Sequence, residues 1–192
     1  MCGFVVVVMP AGMIDTRVLE AMRDRLTHRG PDDAGLWAAR TGAGSVGFGF
    51  RRLAIVDLSA AANQPMHSGS GRSTIVFNGE IYNYIELRDD LTAAGIAFRT
   101  RSDTEVLLAA YEKWGTECLA RLNGMFAFAI WDSSAGHVFA ARDRFGEKPL
   151  FFTDYPGGGI AFASEMKAFF AHPDLRAAPD SAMVAKYVGG AY

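Results

Sequence analysis

Met1-Cys2-Gly3 runs straight into six apolar residues, Phe4-Val5-Val6-Val7-Val8-Met9, which stop at Pro10. The run is dominated by β-branched side chains, which are stiff at χ1 and suit a pleated backbone. Its length and apolarity read as a buried strand. Such a strand holds Cys2 rigidly at the edge of a core. Initiator methionine is usually trimmed when the next residue is small, so the mature chain is expected to begin at Cys2. A thiol and a free α-amino group then share one residue, which places a nucleophile beside a base. The amine, with an ordinary pKa of about 7.7–8.0, is partly neutral near neutral pH. The thiol, at about 8.5, is expected to be partly thiolate. Taken alone, a small cysteine is more often a buried structural residue than a nucleophile. No basic segment precedes the apolar run and no small-residue cleavage site follows it, which argues against a signal peptide. Myristoylation would need glycine at position two.

The chain has 192 residues, enough for one domain with a sizeable core. Hydrophobic residues make up 50% and charged residues 21%, an ordinary globular balance. A formal net charge of -2 argues against a nucleic-acid surface built on bulk positive charge. The apolar runs are far too short to cross a bilayer. With only Cys2 and Cys118, a disulfide framework is not expected and a reducing cytosol fits. His28, His67, His137 and His172 are scattered without metal-ligand spacing, so no metal site is expected.

Along the chain, residues 15–27 read as a helix capped by Asp15, with Val18, Leu19, Met22 and Leu26 at helical spacing. His28-Arg29-Gly30-Pro31-Asp32-Asp33 breaks it, because Gly-Pro cannot continue a helix. From spacing alone, Arg29 reads as a solvated loop charge. Residues 45–50 alternate glycine with apolar side chains, the mark of a strand approached closely by other backbone. Residues 60–71 are small and polar and read as a surface loop. A short strand over 73–77 is expected to end at Asn78-Gly79-Glu80. Residues 83–94 read as a helix in which Asn83 and Glu86 resemble a capping box, stopped by Gly95. A further helix opens at Ser102-Asp103, and a shorter one spans 117–122 with Cys118. Residues 125–131 and 137–142 read as one hairpin, and 150–153 and 160–163 as a second. Hairpins mean antiparallel pairing, and strands with helices between them suggest stacked antiparallel sheets covered by helices. Residues 181–188 read as a helix leading out of the domain.

Four pieces then call for one explanation: Cys2, Arg52 after a strand, Asn78-Gly79-Glu80 at a strand end, and Asp103 at a helix start. Each has a bland reading of its own. Arg52 reads equally as a surface cation, Asn78-Gly79 as a hairpin turn, and Asp103 as a helix cap.

Together they resemble the glutaminase domain of glutamine-dependent asparagine synthetases. These are class II glutamine amidotransferases, which are N-terminal-nucleophile hydrolases. The resemblance covers nearly the whole chain. It rests on Met1-Cys2-Gly3, His28-Arg29-Gly30-Pro31-Asp32, Arg52-Leu53-Ala54-Ile55-Val56-Asp57, Asn63-Gln64-Pro65-Met66, Phe77-Asn78-Gly79-Glu80-Ile81-Tyr82-Asn83, Ser102-Asp103-Thr104-Glu105, Asn123-Gly124-Met125-Phe126-Ala127-Phe128 and Arg142-Asp143-Arg144-Phe145-Gly146-Glu147-Lys148-Pro149-Leu150. The phosphosugar and phosphoribosyl amidotransferases typically carry Arg-Trp-Ala-Thr-His where this chain has Arg-Leu-Ala-Ile-Val. The β-lactam-forming relatives lack the cysteine that this chain keeps.

The resemblance implies an α+β fold, a four-layer αββα sandwich of two antiparallel sheets. It implies that Cys2 attacks the side-chain amide of glutamine while its α-amino group shuttles the proton, and that Asn78 and Gly79 hold the oxyanion. Arg52 would grip the substrate α-carboxylate, Asp103 and Glu80 the α-ammonium, and Leu53, Ala54, Ile55 and Val56 would line the pocket. No cofactor or metal is implied for this chain. ATP and Mg belong to a second, synthetase domain whose Ser-Gly-Gly-x-Asp-Ser loop matches neither Ser68-Gly69-Ser70-Gly71 nor Pro156-Gly157-Gly158-Gly159. Residues 2–172 are thus expected to form the amidotransferase domain, and 173–192 a linker and the start of the synthetase domain. The implied partners are glutamine and that domain of the same polypeptide, with no nucleic acid or membrane, and a homodimer stays open. Asparagine is the implied product of the whole enzyme. The alternatives are another ammonia acceptor, or a module that senses glutamine without turning it over.

The placement of Cys2 generates a first prediction. A homogeneous chain that retains Met1 should be nearly inactive, because the amine is then an amide. Mass spectrometry of an active preparation should show Met1 absent.

Overall fold

The computed structural model describes residues 1–55 and 57–190. Among them, nine strands form two antiparallel sheets. β1 (Gly3–Met9) is the middle strand of the first sheet. It pairs on one side with β3 (Gly44–Arg52), which pairs with the edge strand β2 (Asp33–Thr41). On the other side it pairs with β9 (Gly159–Ala163), which pairs with β8 (Phe151–Tyr155). The second sheet runs β4 (Met66–His67), β5 (Ser73–Ile81), β6 (Gly124–Asp132), β7 (His137–Arg142).

The two-residue period of a strand divides β1 between two cores. Val5 and Val7 pack under helix α1 (Thr16–Asp24), against Leu19, Met22 and Leu26, with Ala168 and Phe169 of a 3₁₀ turn at Met166–Ala171. Phe4 and Val6 point the other way, into a layer shared with Phe48, Val76, Ala127 and Ala129 of the two sheets. β5 and β6 divide likewise: Ile75, Phe77, Phe126 and Phe128 face α2 (Tyr84–Ala93), α3 (Asp103–Trp114) and the single turn α4 (Cys118–Arg121). The layers are therefore helix, sheet, sheet, helix, the sandwich the sequence blocks imply. Phe4 to Val7 are fully buried, which explains a run with no polar face. Burying each such side chain is worth about 1.5–3 kcal/mol.

Several local expectations change. Residues 34–41 carry no strand signal, yet they form β2; as an edge strand with alternate residues exposed, β2 needs little apolar content. The stretch 60–71 is not a simple surface loop: Ala62, Gln64, Met66 and Ser68 are buried, and Met66–His67 form β4. Asn78-Gly79-Glu80 is not a strand end, because β5 continues to Ile81 and pairs Asn78 with Ala127. Asn83 makes no capping box. Its Oδ1 accepts from Asn123 N–H at 2.9 Å and its Nδ2 donates to Arg121 O at 2.9 Å, tying α2 to α4 instead. The helix over 181–188, α5 (Ser181–Val188), forms with Asp180 as its cap, and none of its residues is buried.

After β7 the chain turns sharply at Asp143, and that turn carries Lys148 towards the start of β1. The Asp143 carboxylate is buried and accepts the backbone N–H groups of Phe126, Phe145, Glu147 and Lys148, at 2.9–3.2 Å. Burial alone would raise its pKa, but those N–H donors outweigh it and hold the carboxyl below its ordinary value. A depressed carboxylate contributes stability above the unfolded pKa of about 3.9 and loses it as pH falls through the folded value. Asp143→Ala should therefore destabilise the fold by about 1.5–3 kcal/mol at pH 7. In urea unfolding, the gap between variant and wild type should shrink as pH drops below about 4.

Candidate active site

Cys2 lies two residues before Phe4, so its side chain enters the same inter-sheet layer, against which it packs. Asn78 lies two residues after Val76 on β5 and enters that layer from the opposite sheet. The two meet at one end of the sandwich. There Cys2, Arg52, Leu53, Ile55, Asn78, Gly79, Glu80 and Asp103 all line one pocket of about 150 Å³. Ala54 does not line it; its N–H goes to Asp32 Oδ2 at 2.9 Å. Val56 lies outside the described residues.

The Cys2 thiol sits between the backbone groups of Leu53, 3.5 Å from the carbonyl oxygen and 3.4 Å from the N–H. Burial pushes its pKa up, against the pull of the Leu53 N–H, the positive chain terminus, Arg52 and Arg29. Against the expectation of a readily ionised thiol, desolvation outweighs these and raises its pKa. The thiol therefore needs a base in place when it reacts.

Across the pocket, the Asn78 Nδ2 is buried and has no hydrogen-bond partner among the described residues. Buried amide donors are normally satisfied, so this one marks where an acceptor belongs. The neighbouring N–H of Gly79 can be placed from the ladder. The Phe77 N–H donates to Gln64 Oε1 and the Ile81 N–H to Asp103 Oδ2. Alternate N–H groups of a strand point the same way, so the Gly79 N–H lies between them, away from β6. Position 79 also requires glycine sterically, because a Cβ there would lie 2.2 Å from Met125 O.

Asp103 begins α3, whose N-cap is Ser102, its Oγ accepting the Thr104 N–H at 3.0 Å. Asp103 is 5% exposed, and among the described residues no cation pairs with its carboxylate. Burial first, and then nearby Glu80, push its pKa up despite the Ile81 and Thr104 N–H groups. Glu80 itself is exposed at the rim. Arg52 is buried and held by the loop that follows β3. Its Nη1 donates to Ser59 O at 3.1 Å and to Asn63 Oδ1, and its Nη2 to Asp57 O. Of its five N–H donors, these bonds leave the Nε edge available, so one side of the planar fork can still meet a carboxylate.

Three residues gain a place that spacing did not supply. Gln64 lines the pocket and ties β5 to Thr104 of α3. Lys148 is buried in the pocket wall, its Nζ 3.3 Å from Met1 Sδ. Arg29, read as a solvated charge, is buried with its Nε donating to the Cys2 carbonyl at 2.9 Å. All three fall within the sequence blocks that carry the resemblance, which was the available signal. Among the described residues, no group of three or more His, Cys, Asp or Glu side chains is placed to hold a metal ion.

A thiol at the start of the central strand of an αββα sandwich, facing a strand N–H and a side-chain amide, is the arrangement of N-terminal-nucleophile amidotransferases. The solved glutamine phosphoribosylpyrophosphate amidotransferase from B. subtilis shares the fold, with a TM-score of 0.70 at 22% identity over 88% of this chain and 43% of that one. The model of the glutamine amidotransferase domain family matches residues 1–192, and the chain belongs to that family. Among curated relatives, asparagine synthetase [glutamine-hydrolyzing] 3 of Bacillus subtilis is 44% identical over 178 residues, covering 91% of this chain and 28% of the relative. A putative asparagine synthetase [glutamine-hydrolyzing] of Mycobacterium bovis is 53% identical over 148 residues, covering 74% and 22% respectively. The chain thus spans about a quarter of the length of these relatives.

The two cysteines differ enough to be told apart chemically. Cys118 is fully buried in the helical core, and burial pushes its thiol up to about 11. A small alkylating reagent at pH 8 should label Cys2 and spare Cys118 in the folded protein, as read by peptide mass mapping.

Proposed function

We propose that this chain hydrolyses glutamine to glutamate and ammonia through a γ-glutamyl thioester on Cys2. The observation that carries the reading is the unpaired, buried Asn78 Nδ2 facing the same pocket as the Cys2 thiol and the Asp103 carboxylate. With Met1 removed, the Cys2 α-amine takes the thiol proton as sulfur attacks the side-chain amide carbon. The oxyanion that forms is met by Asn78 Nδ2 and the Gly79 N–H. Each such donor is worth about 2.7–4 kcal/mol in the transition state. The ammonium so formed returns its proton to the leaving nitrogen, ammonia departs, and the thioester remains. Water then adds to it, the amine again taking the proton, and glutamate is released with the thiol restored. Asp103 supplies the counter-charge for the substrate α-ammonium, with Glu80 adding negative potential at the rim. The free edge of Arg52 takes the α-carboxylate, and Leu53 and Ile55 form the wall.

The names of the relatives support a further step. The ammonia would serve an ATP- and Mg-dependent synthetase domain of the same polypeptide, amidating aspartate to asparagine. The exposed apolar residues of α5, Met183, Val184 and Val188, suit a helix that packs against such a domain. The reducing cytosol is our reading of the compartment, resting on two free thiols. On this reading residues 2–172 are the catalytic unit.

Processed protein given glutamine alone should release glutamate and ammonia in equal amounts, and Cys2→Ala should abolish release. Binding without turnover by wild type would favour a glutamine sensor instead. Asp103→Asn should raise KM about tenfold or more, in line with the roughly 1.5–3 kcal/mol of a hydrogen bond to a charged group. Because Asp103 must be ionised to hold an ammonium and its pKa is raised, kcat/KM should fall on acidification at a higher pH than an ordinary carboxylate would give.

A further inference from the structure

Glu165 lies 136 residues from Arg29 in sequence, yet the two meet beside the first residues of the chain. Its Oε1 accepts from Arg29 Nη1 at 2.8 Å and lies 2.9 Å from His28 Nε2, while its Oε2 lies 3.0 Å from Lys167 Nζ. Lys167 Nζ and His28 Nε2 are 3.2 Å apart, which closes the cluster. One carboxylate thus faces three basic groups. They differ in exposure: the side chains of His28 and Lys167 are about half exposed, at 49% and 48%, and that of Arg29 is 8% exposed. A buried guanidinium requires a carboxylate, whereas the exposed pair are solvated without one. Burial would raise the Glu165 carboxyl, but Arg29, His28 and Lys167 together hold it at about 2. It is therefore ionised across any working pH.

Arg29 uses its Nε for the Cys2 carbonyl, at 2.9 Å, and its Nη1 for Glu165. It lies flat along the backbone of residue 3, where a Cβ would come within 3.1 Å of Arg29 Cδ and 3.0 Å of Leu26 Cβ. Gly3 leaves that track open. Glu165 is fixed in turn by its neighbour. The fully buried Ser164 continues the pairing of β9 with β1, its N–H donating to Phe4 O at 3.0 Å and its Oγ accepting the Phe4 N–H at 3.0 Å. The carboxylate is thus referenced to β1, and through Arg29 it returns to the carbonyl of the residue carrying the nucleophile.

We propose that Glu165 is a positioning residue, which through Arg29 sets the peptide plane of Cys2 and with it the direction of both the thiol and the α-amine. Neither Glu165 nor Arg29 lines the substrate pocket, so neither grips substrate. Their action runs through the backbone carbonyl of Cys2. The amine and sulfur leave the same Cα, so a small rotation of that plane displaces base and nucleophile together. Displacements of about 1 Å at a reacting centre can cost about 100-fold in rate.

The inference rests on the glutaminase reading above, and the test separates the two. In the processed full chain, Glu165→Ala should lower kcat for glutamine about 10–100-fold and leave KM within about twofold. Glu165→Gln, which keeps an acceptor for Arg29 and the side-chain volume, should fall between the two. In an Arg29→Met background, adding Glu165→Ala should cost little more, because the link is already cut. A second readout does not need turnover: alkylation of Cys2, followed by mass mapping, should change rate in Glu165→Ala and not change further when Arg29→Met is added. Wild type inactive on glutamine would remove the glutaminase reading and leave the alkylation arm to decide on Glu165. Wild-type kcat in both Glu165 variants, a loss confined to KM, or equal losses with and without Arg29 would overturn the proposal.

Discussion

The burial of β1 on both faces is the constraint from which the rest of the structure follows. Phe4 to Val7 have no exposed surface, and a strand has two sides. One side is covered by α1 and the 3₁₀ turn at Met166–Ala171, the other by a second sheet. That second sheet has its own outer face, which α2, α3 and α4 cover. Removing any one cover would expose apolar surface that no polar group of β1 could offset. The two-residue period then decides the chemistry, because it delivers Cys2 into the layer between the sheets. Burial in that layer is the largest influence on the thiol and raises its pKa.

At the end of the sandwich the packing gives way to polar groups that must be satisfied in little water. Most are. Gln64 closes on Phe77 and Thr104, Asp143 collects four N–H groups, and Arg52 is embraced by the loop after β3. Two groups that line the pocket are left without a partner among the described residues: the Asn78 amide, a buried donor without an acceptor, and Asp103, a buried acid without a cation. Buried polar groups cost free energy when left alone, so exceptions that share one pocket describe a ligand: an acceptor near the sulfur and a cation near α3. An amino acid with a side-chain amide has both. Cys118 shows the contrast, a cysteine buried in the apolar cluster of the second sheet and its helices, outside the pocket.

Much of this was legible along the chain, and the failures share a cause. β1 shows as an unbroken apolar run, β3 as an alternation of glycine with apolar residues, and the two hairpins as strand pairs around turns, so their sequences suffice. β2 is an edge strand of Gly, Ala and Arg around one inward Trp37, and only its partner β3 makes it a strand. Asn83 and Glu86 have the spacing of a capping box, but Asn123 competes for the Asn83 side chain from 40 residues away and wins. The 60–71 stretch is polar in composition yet buries Ala62, Gln64, Met66 and Ser68, because it forms the edge of the second sheet and a wall of the pocket. Arg29 looks like a loop charge until Glu165 arrives from the far end of the chain.

The sequence by itself determined that a nucleophilic residue would stand at the head of a buried strand, and which residue types would gather for the chemistry. It determined the sheets and helices wherever a local period of two or 3.6 residues set them. Only the tertiary structure decided that Asn78 would share a pocket with Cys2, that desolvation would outweigh the charges around the thiol, and that Arg29 would hold a carbonyl rather than face water. Those outcomes depend on distances between residues far apart in the chain. They are set by how two sheets stack and which faces they bury, and no local spacing encodes that.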